Sequence, residues 1–138
     1  MNQSTTSDVA PNYDTIVIGA GITGMYSMYR LRKMGMSALC FEAGTGVGGT
    51  WYWNRYPGAR FDSESHSYCF SFSDELLQEW DWTEKFSPQP ETLRYLNFVA
   101  DKFDLRRDMR FKQRIASAHY DESDLLWHVE TEDGTRAS

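Results

Sequence analysis

Two groups of residues between Asp14 and Asp62 have the types and spacing to do chemistry together. Gly19, Gly21 and Gly24 follow the G-x-G-x-x-G spacing, which brings bare backbone up to a pyrophosphate. The first permits a tight turn, the second close approach of the anion, and the third close packing of a following helix. Glu42 stands where ribose hydroxyls need an acceptor. A second glycine cluster, Gly44, Gly46, Gly48 and Gly49, runs into Thr50-Trp51-Tyr52-Trp53. Glycine-rich backbone leading into dense aromatics suits a loop lying against a large planar ligand, or else an aromatic mini-core capping a sheet.

The elements that must position these groups are legible around them. Thr15–Ile18 is a short apolar run, so a strand is expected over about 14–19. Met25, Met28 and Leu31 give an apolar stripe, so a helix is expected from Ile22 to Met34, with Gly35 as its stop. Ala38–Phe41 reads as a second buried strand ending on Glu42. Strand, glycine turn, helix, strand and acid in this order make a βαβ dinucleotide-binding unit, with the helix N-terminus facing the anion.

Composition narrows the function classes. The 138 residues are 41% hydrophobic with a net charge of −6, as for a globular chain of one domain. No basic stripe is present, so no nucleic-acid partner is expected. Residues 1–12 show neither a basic n-region nor an apolar h-region, and no apolar run approaches spanning length, so no membrane association and a cytoplasmic location are expected. Cys40 and Cys69 lack metal-type spacing, and Cys40 reads as core. His66, His119 and His128 form no cluster at zinc spacing, so no metal is expected. Asp62-Ser63-Glu64-Ser65-His66 holds the ingredients of a hydrolytic triad but no G-x-S-x-G elbow.

Further along, Ser73 reads as an N-cap for a short helix carrying Leu76, Leu77 and Trp80. Pro88 and Pro90 read as loop, and a helix is expected over Glu91–Phe103. Arg110–Tyr120 and Leu126–Thr131 read as strands around the acidic turn Asp121–Asp124. Asp133-Gly134 signals another hairpin, with too few residues after it for a returning strand. The expected organisation is a disordered tail over 1–13 and, over 14–138, part of an α/β Rossmann-like domain with parallel strands and the start of a β-meander.

The run Gly48-Gly49-Thr50-Trp51-Tyr52-Trp53-Asn54-Arg55-Tyr56-Pro57-Gly58-Ala59-Arg60-Phe61-Asp62, placed after Gly19–Gly24, closely resembles the N-terminal region of flavin-dependent Baeyer–Villiger monooxygenases. The resemblance covers residue 14 to the end. It implies FAD and NADPH as cofactors, with a ketone and oxygen as reactants giving an ester or lactone through a C4a-peroxyflavin. It further implies that Gly19, Gly21 and Gly24 cradle the FAD pyrophosphate and Glu42 its ribose, while Gly49, Thr50, Trp51 and Trp53 line the flavin side. By the same resemblance Asp62 supports a catalytic arginine, Tyr68 touches the flavin, Ile115 lies at the adenine end and Arg60 near the nicotinamide. The family's NADPH fingerprint, its intermotif signature and its catalytic arginine do not occur here. Members are several times longer, which implies an N-terminal piece, inactive by itself. Three other readings share the glycine fingerprint: an N- or S-oxidising flavin monooxygenase, an NAD-dependent dehydrogenase, and a non-catalytic dinucleotide-binding module.

Overall fold

The computed structural model describes residues 10–138. Its centre is β2 (Ala38–Glu42), flanked in parallel by β1 (Thr15–Ile18) and β3 (Met109–Phe111). The register sets Val17 beside Cys40 and Cys40 beside Met109. Helix α1 (Ile22–Lys33) makes the crossover between β1 and β2. Side chains alternate along a strand, so the unbroken apolar run of β2 serves two cores at once. Cys40 faces one core with Met25, Met28, Leu96, Val99 and Met109, while Leu39 and Phe41 face the other with Val129 and Ala137.

The chain then winds through three short helices, α2 (Thr50–Trp53), α3 (Ser65–Tyr68) and α4 (Asp74–Glu79), into the longer α5 (Gln89–Lys102). Ser73 caps α4 as expected, its hydroxyl accepting from the Leu76 N–H at 3.2 Å. Helix α5 starts at Gln89 rather than Glu91, with Pro88 as N-cap and Pro90 in the first turn, where a missing N–H costs nothing. Arg32 ties α1 to the far end of α5, donating to the carbonyls of Phe103 and Asp104 and pairing with Asp108 at 2.6 Å. A single-turn 3-10 helix, Leu105–Asp108, leads into β3.

Two strand expectations are corrected. The single strand expected over Arg110–Tyr120 is two strands in different sheets, β3 and β4 (Ile115–Asp121). The break lies at Lys112, held at φ +58° because its N–H follows the Gly44 carbonyl (2.8 Å) while the Gln113 N–H takes that of Glu42 (2.9 Å). A returning strand does follow Gly134: β6 (Arg136–Ala137) pairs antiparallel with β5 (Leu126–Thr131), which pairs with β4. A tight turn in which the Thr131 N–H reaches the Thr135 carbonyl (2.9 Å) leaves two residues, enough for two pairs.

Sheet β4–β5–β6 thus covers the face of the parallel sheet opposite α1 and α5. Residues 1–9 of the expected tail lie outside the described residues. Pro11 and Tyr13 bond the backbone of Ser138 on either side, at 3.1 and 2.7 Å. Strand β1 is an edge strand among the described residues; Ile18 is 60% exposed, beside a groove of about 480 Å³ also lined by Ile16, Trp127 and Val129. No helix of the described residues is long and apolar enough to cross a membrane.

Candidate functional site

The first glycine turn leaves β1 with Gly19, whose N–H bonds the Phe41 carbonyl at 2.8 Å. Helix α1 begins at Ile22 with Gly21 as N-cap, no side-chain cap and no acid in its first turn. The Met25 N–H is the first to find its helical partner, Gly21 O at 2.9 Å. The preceding N–H groups and the positive end of the helix dipole are therefore free for an anion. A Cβ on Gly24 would overlap the Gly19 carbonyl oxygen, so this position demands glycine.

The second glycine loop crosses the first backbone to backbone. A Cβ on Gly49, which sits at φ +53°, would lie 2.7 Å from the Gly21 Cα. The Gly48 N–H bonds the Ala20 carbonyl at 2.9 Å. Glu42 joins the two loops from below: its carboxylate takes the Ala20 N–H at 2.7 Å on one oxygen and the Gly44 N–H at 2.6 Å on the other. Each carboxylate oxygen can accept twice, so the group keeps capacity for further donors. Gly44, Gly46 and Gly49 repeat the G-x-G-x-x-G spacing, yet only one helical turn follows, and Gly44 lies under the Tyr52 ring. That repeat offers no second anion cradle.

Between the loops lies a cleft of about 340 Å³, lined by Ile18, Gly19, Gly21, Ile22, Thr23, Gly24, Gly48, Gly49, Thr50, Trp51 and Tyr68. The structure thus brings together Gly19, Gly21, Gly24, Gly49, Thr50, Trp51 and Tyr68, with Glu42 buried beneath them. Trp51 stands edge-on to Phe61 and Tyr68, and its indole N–H donates to the Tyr68 hydroxyl oxygen at 2.9 Å. Phe61 and Tyr68 stack at 4.2 Å.

The remaining expected residues are placed elsewhere. Trp53 is 56% exposed, edge-on to Tyr52, outside the cleft lining. Arg60 pairs with Glu84 at 3.0 Å and donates to the Phe86 carbonyl at 3.1 Å. Asp62 is exposed, with no side-chain hydrogen bond or ion pair among the described residues. Ile115 packs against the Leu39–Phe41 core, opposite the helical layer.

Sequence reasoning missed Gln89 and Glu91. Gln89 is 7% exposed; its backbone N–H bonds the Ala59 carbonyl at 2.8 Å and its side-chain amide donates to the Trp51 carbonyl. Glu91, 2% exposed, accepts from the Thr83 N–H (2.9 Å), the Thr83 hydroxyl (2.8 Å) and the Ser87 hydroxyl (3.1 Å). Burial raises its pKa, but those donors and the Arg94 charge outweigh it and leave the carboxyl below its ordinary value. No local pattern announces either residue: the Gln89 partners are main-chain carbonyls of Trp51 and Ala59, and the Glu91 partners Thr83 and Ser87 lie in a loop with no periodicity.

Cys40 is fully buried, and burial followed by the Glu42 charge pushes its thiol up to about 12, which keeps it a protonated packing group. One histidine is less isolated than its spacing implied: the β4–β5 hairpin brings His128 to 2.8 Å from Asp124 and within 4.8 Å of Asp121.

Known proteins with this geometry are informative. Residues 17–81 match the model of an NAD(P)-binding Rossmann-like domain. A Baeyer–Villiger monooxygenase of Pseudooceanicola batsensis is 45% identical over 130 residues, 94% of this chain and 24% of that protein. A phenazine N-monooxygenase of Lysobacter antibioticus is 44% identical over 124 residues, 89% of this chain and 23% of that protein. The solved structure of an oxidised steroid monooxygenase bound to NADP superposes with a TM-score of 0.90 at 56% identity, over 91% of this chain and 24% of that one. The chain spans about a quarter of the length of the relatives it matches.

Proposed function

We infer the function from one premise: by sequence and fold the chain belongs to the Baeyer–Villiger monooxygenase family, to whose N-terminal Rossmann part it corresponds. The cleft at the crossing of the two glycine loops binds FAD. The observation that carries this reading is the uncapped, acid-free start of α1, facing a cradle in which a Cβ at Gly24 or Gly49 would collide with backbone. Such a donor set fits a pyrophosphate.

In this reading the N–H groups of α1 hold the pyrophosphate and Glu42 accepts from the adenosine ribose with its remaining lone pairs. Thr50 and Trp51 wall the flavin side. Because the Tyr68 oxygen already accepts from Trp51, its own O–H proton is free to donate into the cleft. Asp62, unpaired among the described residues, orients a catalytic arginine supplied from outside these 138 residues. A carboxylate beside a guanidinium fixes its place by charge-assisted hydrogen bonding. Bound flavin, reduced by NADPH, supplies the oxygen activation that turns a ketone into an ester or lactone, and the protein supplies binding and orientation. The chain alone binds without turnover.

The test is titration of the 138-residue chain with FAD. Saturable binding with quenched flavin fluorescence is expected, with no NADPH oxidation above background. Absence of binding removes the reading. Similarity to a phenazine N-monooxygenase favours a second one, nitrogen oxidation by the same cleft in a protein of the relatives' full length. Products from a ketone and from an aromatic N-heterocycle, measured side by side with the full-length protein, separate the two.

A further inference from the structure

Helix α2 is a single turn, too short to satisfy its own carbonyls. Three of the four are met from outside the helical ladder or at its very end. The Thr50 carbonyl takes the backbone and side-chain N–H groups of Asn54, both at 2.9 Å, and the Tyr52 carbonyl takes the Arg55 guanidinium at 2.7 Å. The Trp51 carbonyl, buried, takes the Gln89 amide. Asn54 and Arg55 are chain neighbours that travel with α2; Gln89 belongs to α5.

The same residue grips a second element, since its backbone N–H bonds Ala59, which leads into Arg60–Asp62, and Arg60 bridges to Pro88. Leu93, one turn further along α5, fills the space that a Cβ on Gly48 would occupy. The first turn of α5 therefore sets where Trp51 stands relative to the segment carrying Asp62.

We propose that Gln89 is a positioning residue for the flavin side of the cleft, acting through the Trp51 carbonyl. The inference rests on the reading of the cleft as an FAD site. Without the amide, the Trp51 carbonyl is left buried and unpaired, α2 rotates to find water, and the Trp51–Tyr68 hydrogen bond goes with it. The backbone bond to Ala59 survives any substitution other than proline, so the rest of the fold stays in place.

The experiment titrates the 138-residue chain with FAD, reads the visible circular dichroism of the bound flavin, and melts the free chain. Wild-type chain that binds no FAD ends the cleft reading, and this inference with it. Given wild-type binding, Gln89→Met, similar in length but without a donor, is expected to weaken FAD by about fivefold to tenfold, one hydrogen bond's worth. The dichroic band should change shape while the melting point falls by only a few degrees. Gln89→Asn, which keeps the amide one methylene short, should act in the same direction, and it decides the matter if Gln89→Met does not fold. Wild-type affinity with an unchanged band in either folded variant overturns the proposal. So does weaker binding with an unchanged band, which reports only general loosening.

Discussion

Residues 15–53 line most of the cleft, residues 59–92 reach it through Tyr68 and back it from behind, and the two stretches use different materials. The first stretch works with backbone: bare glycines, unpaired N–H groups and one carboxylate that clamps two loops. The second works with side chains: Tyr68 and Phe61 stacked, Gln89 and Glu91 buried and hydrogen-bonded across loops. A Cβ at Gly24 or Gly49 would collide with backbone, whereas side-chain sites lose one interaction at a time. Substitutions should therefore be severe in the first region and graded in the second.

The largest effect is expected at Gly24. Gly24→Ala drives a methyl group into the Gly19 carbonyl, so α1 must move off β1. Overpacking costs about 1–3 kcal/mol and occasionally more, and with an overlap this deep FAD binding should be lost along with much of the stability in urea titration. Near-normal stability would break the comparison at its root.

Next stands Glu42, a side chain working inside the backbone region. Glu42→Ala leaves the Ala20 and Gly44 N–H groups unpaired and removes the proposed ribose acceptor. A loss of roughly 1.5–3 kcal/mol in FAD binding is expected, about tenfold to a hundredfold, by titration or by flavin retention through dialysis. Unchanged retention would show that Glu42 is a loop clamp alone.

Glu91 tests the graded side. Its carboxyl is lowered below the ordinary 4.5, so the stabilisation is complete above that value and fades as pH falls below it. Glu91→Gln should cost about 1–2 kcal/mol at neutral pH and flatten the loss of stability below pH 4.5, in denaturant melts across the range. An equally steep acid limb in the variant would assign that limb to other groups. The smallest effect is expected at Trp53, exposed and outside the cleft. Trp53→Ala should change FAD affinity by less than about twofold, as surface substitutions do. A tenfold loss would return Trp53 to the flavin wall, where the family resemblance put it.

The same division explains what could be read from the chain before its structure. The demands of backbone are residue-specific and local, so Gly19, Gly21, Gly24 and Glu42 declare themselves by spacing. The aromatic segment gave Trp51 and Trp53 equal standing, because one turn of helix sends neighbours to opposite sides and nothing in Thr50–Trp53 marks that turn. Lys112 shows the limit for strands: residues 110–120 read as one strand, yet a single left-handed residue among them moves the chain between sheets. Gln89 was invisible for a different reason. Its partners are main-chain carbonyls far away in sequence, and a carbonyl has no identity in a sequence.

The placement of β1 carries a practical cost. Among the described residues β1 stands at the rim of its sheet, where a row of main-chain groups goes unmatched, and Ile18 and Trp127 add apolar surface beside it. Such a rim is a template for another strand, and nature usually blunts it with charge or proline. In the Thr15–Ile18 strand neither is present. Crowding, more than heat, should then limit how this chain can be handled: light scattering should rise with concentration well below the melting point, and Ile18→Lys should suppress it. Scattering that stays flat to high concentration would mean the rim is already shielded.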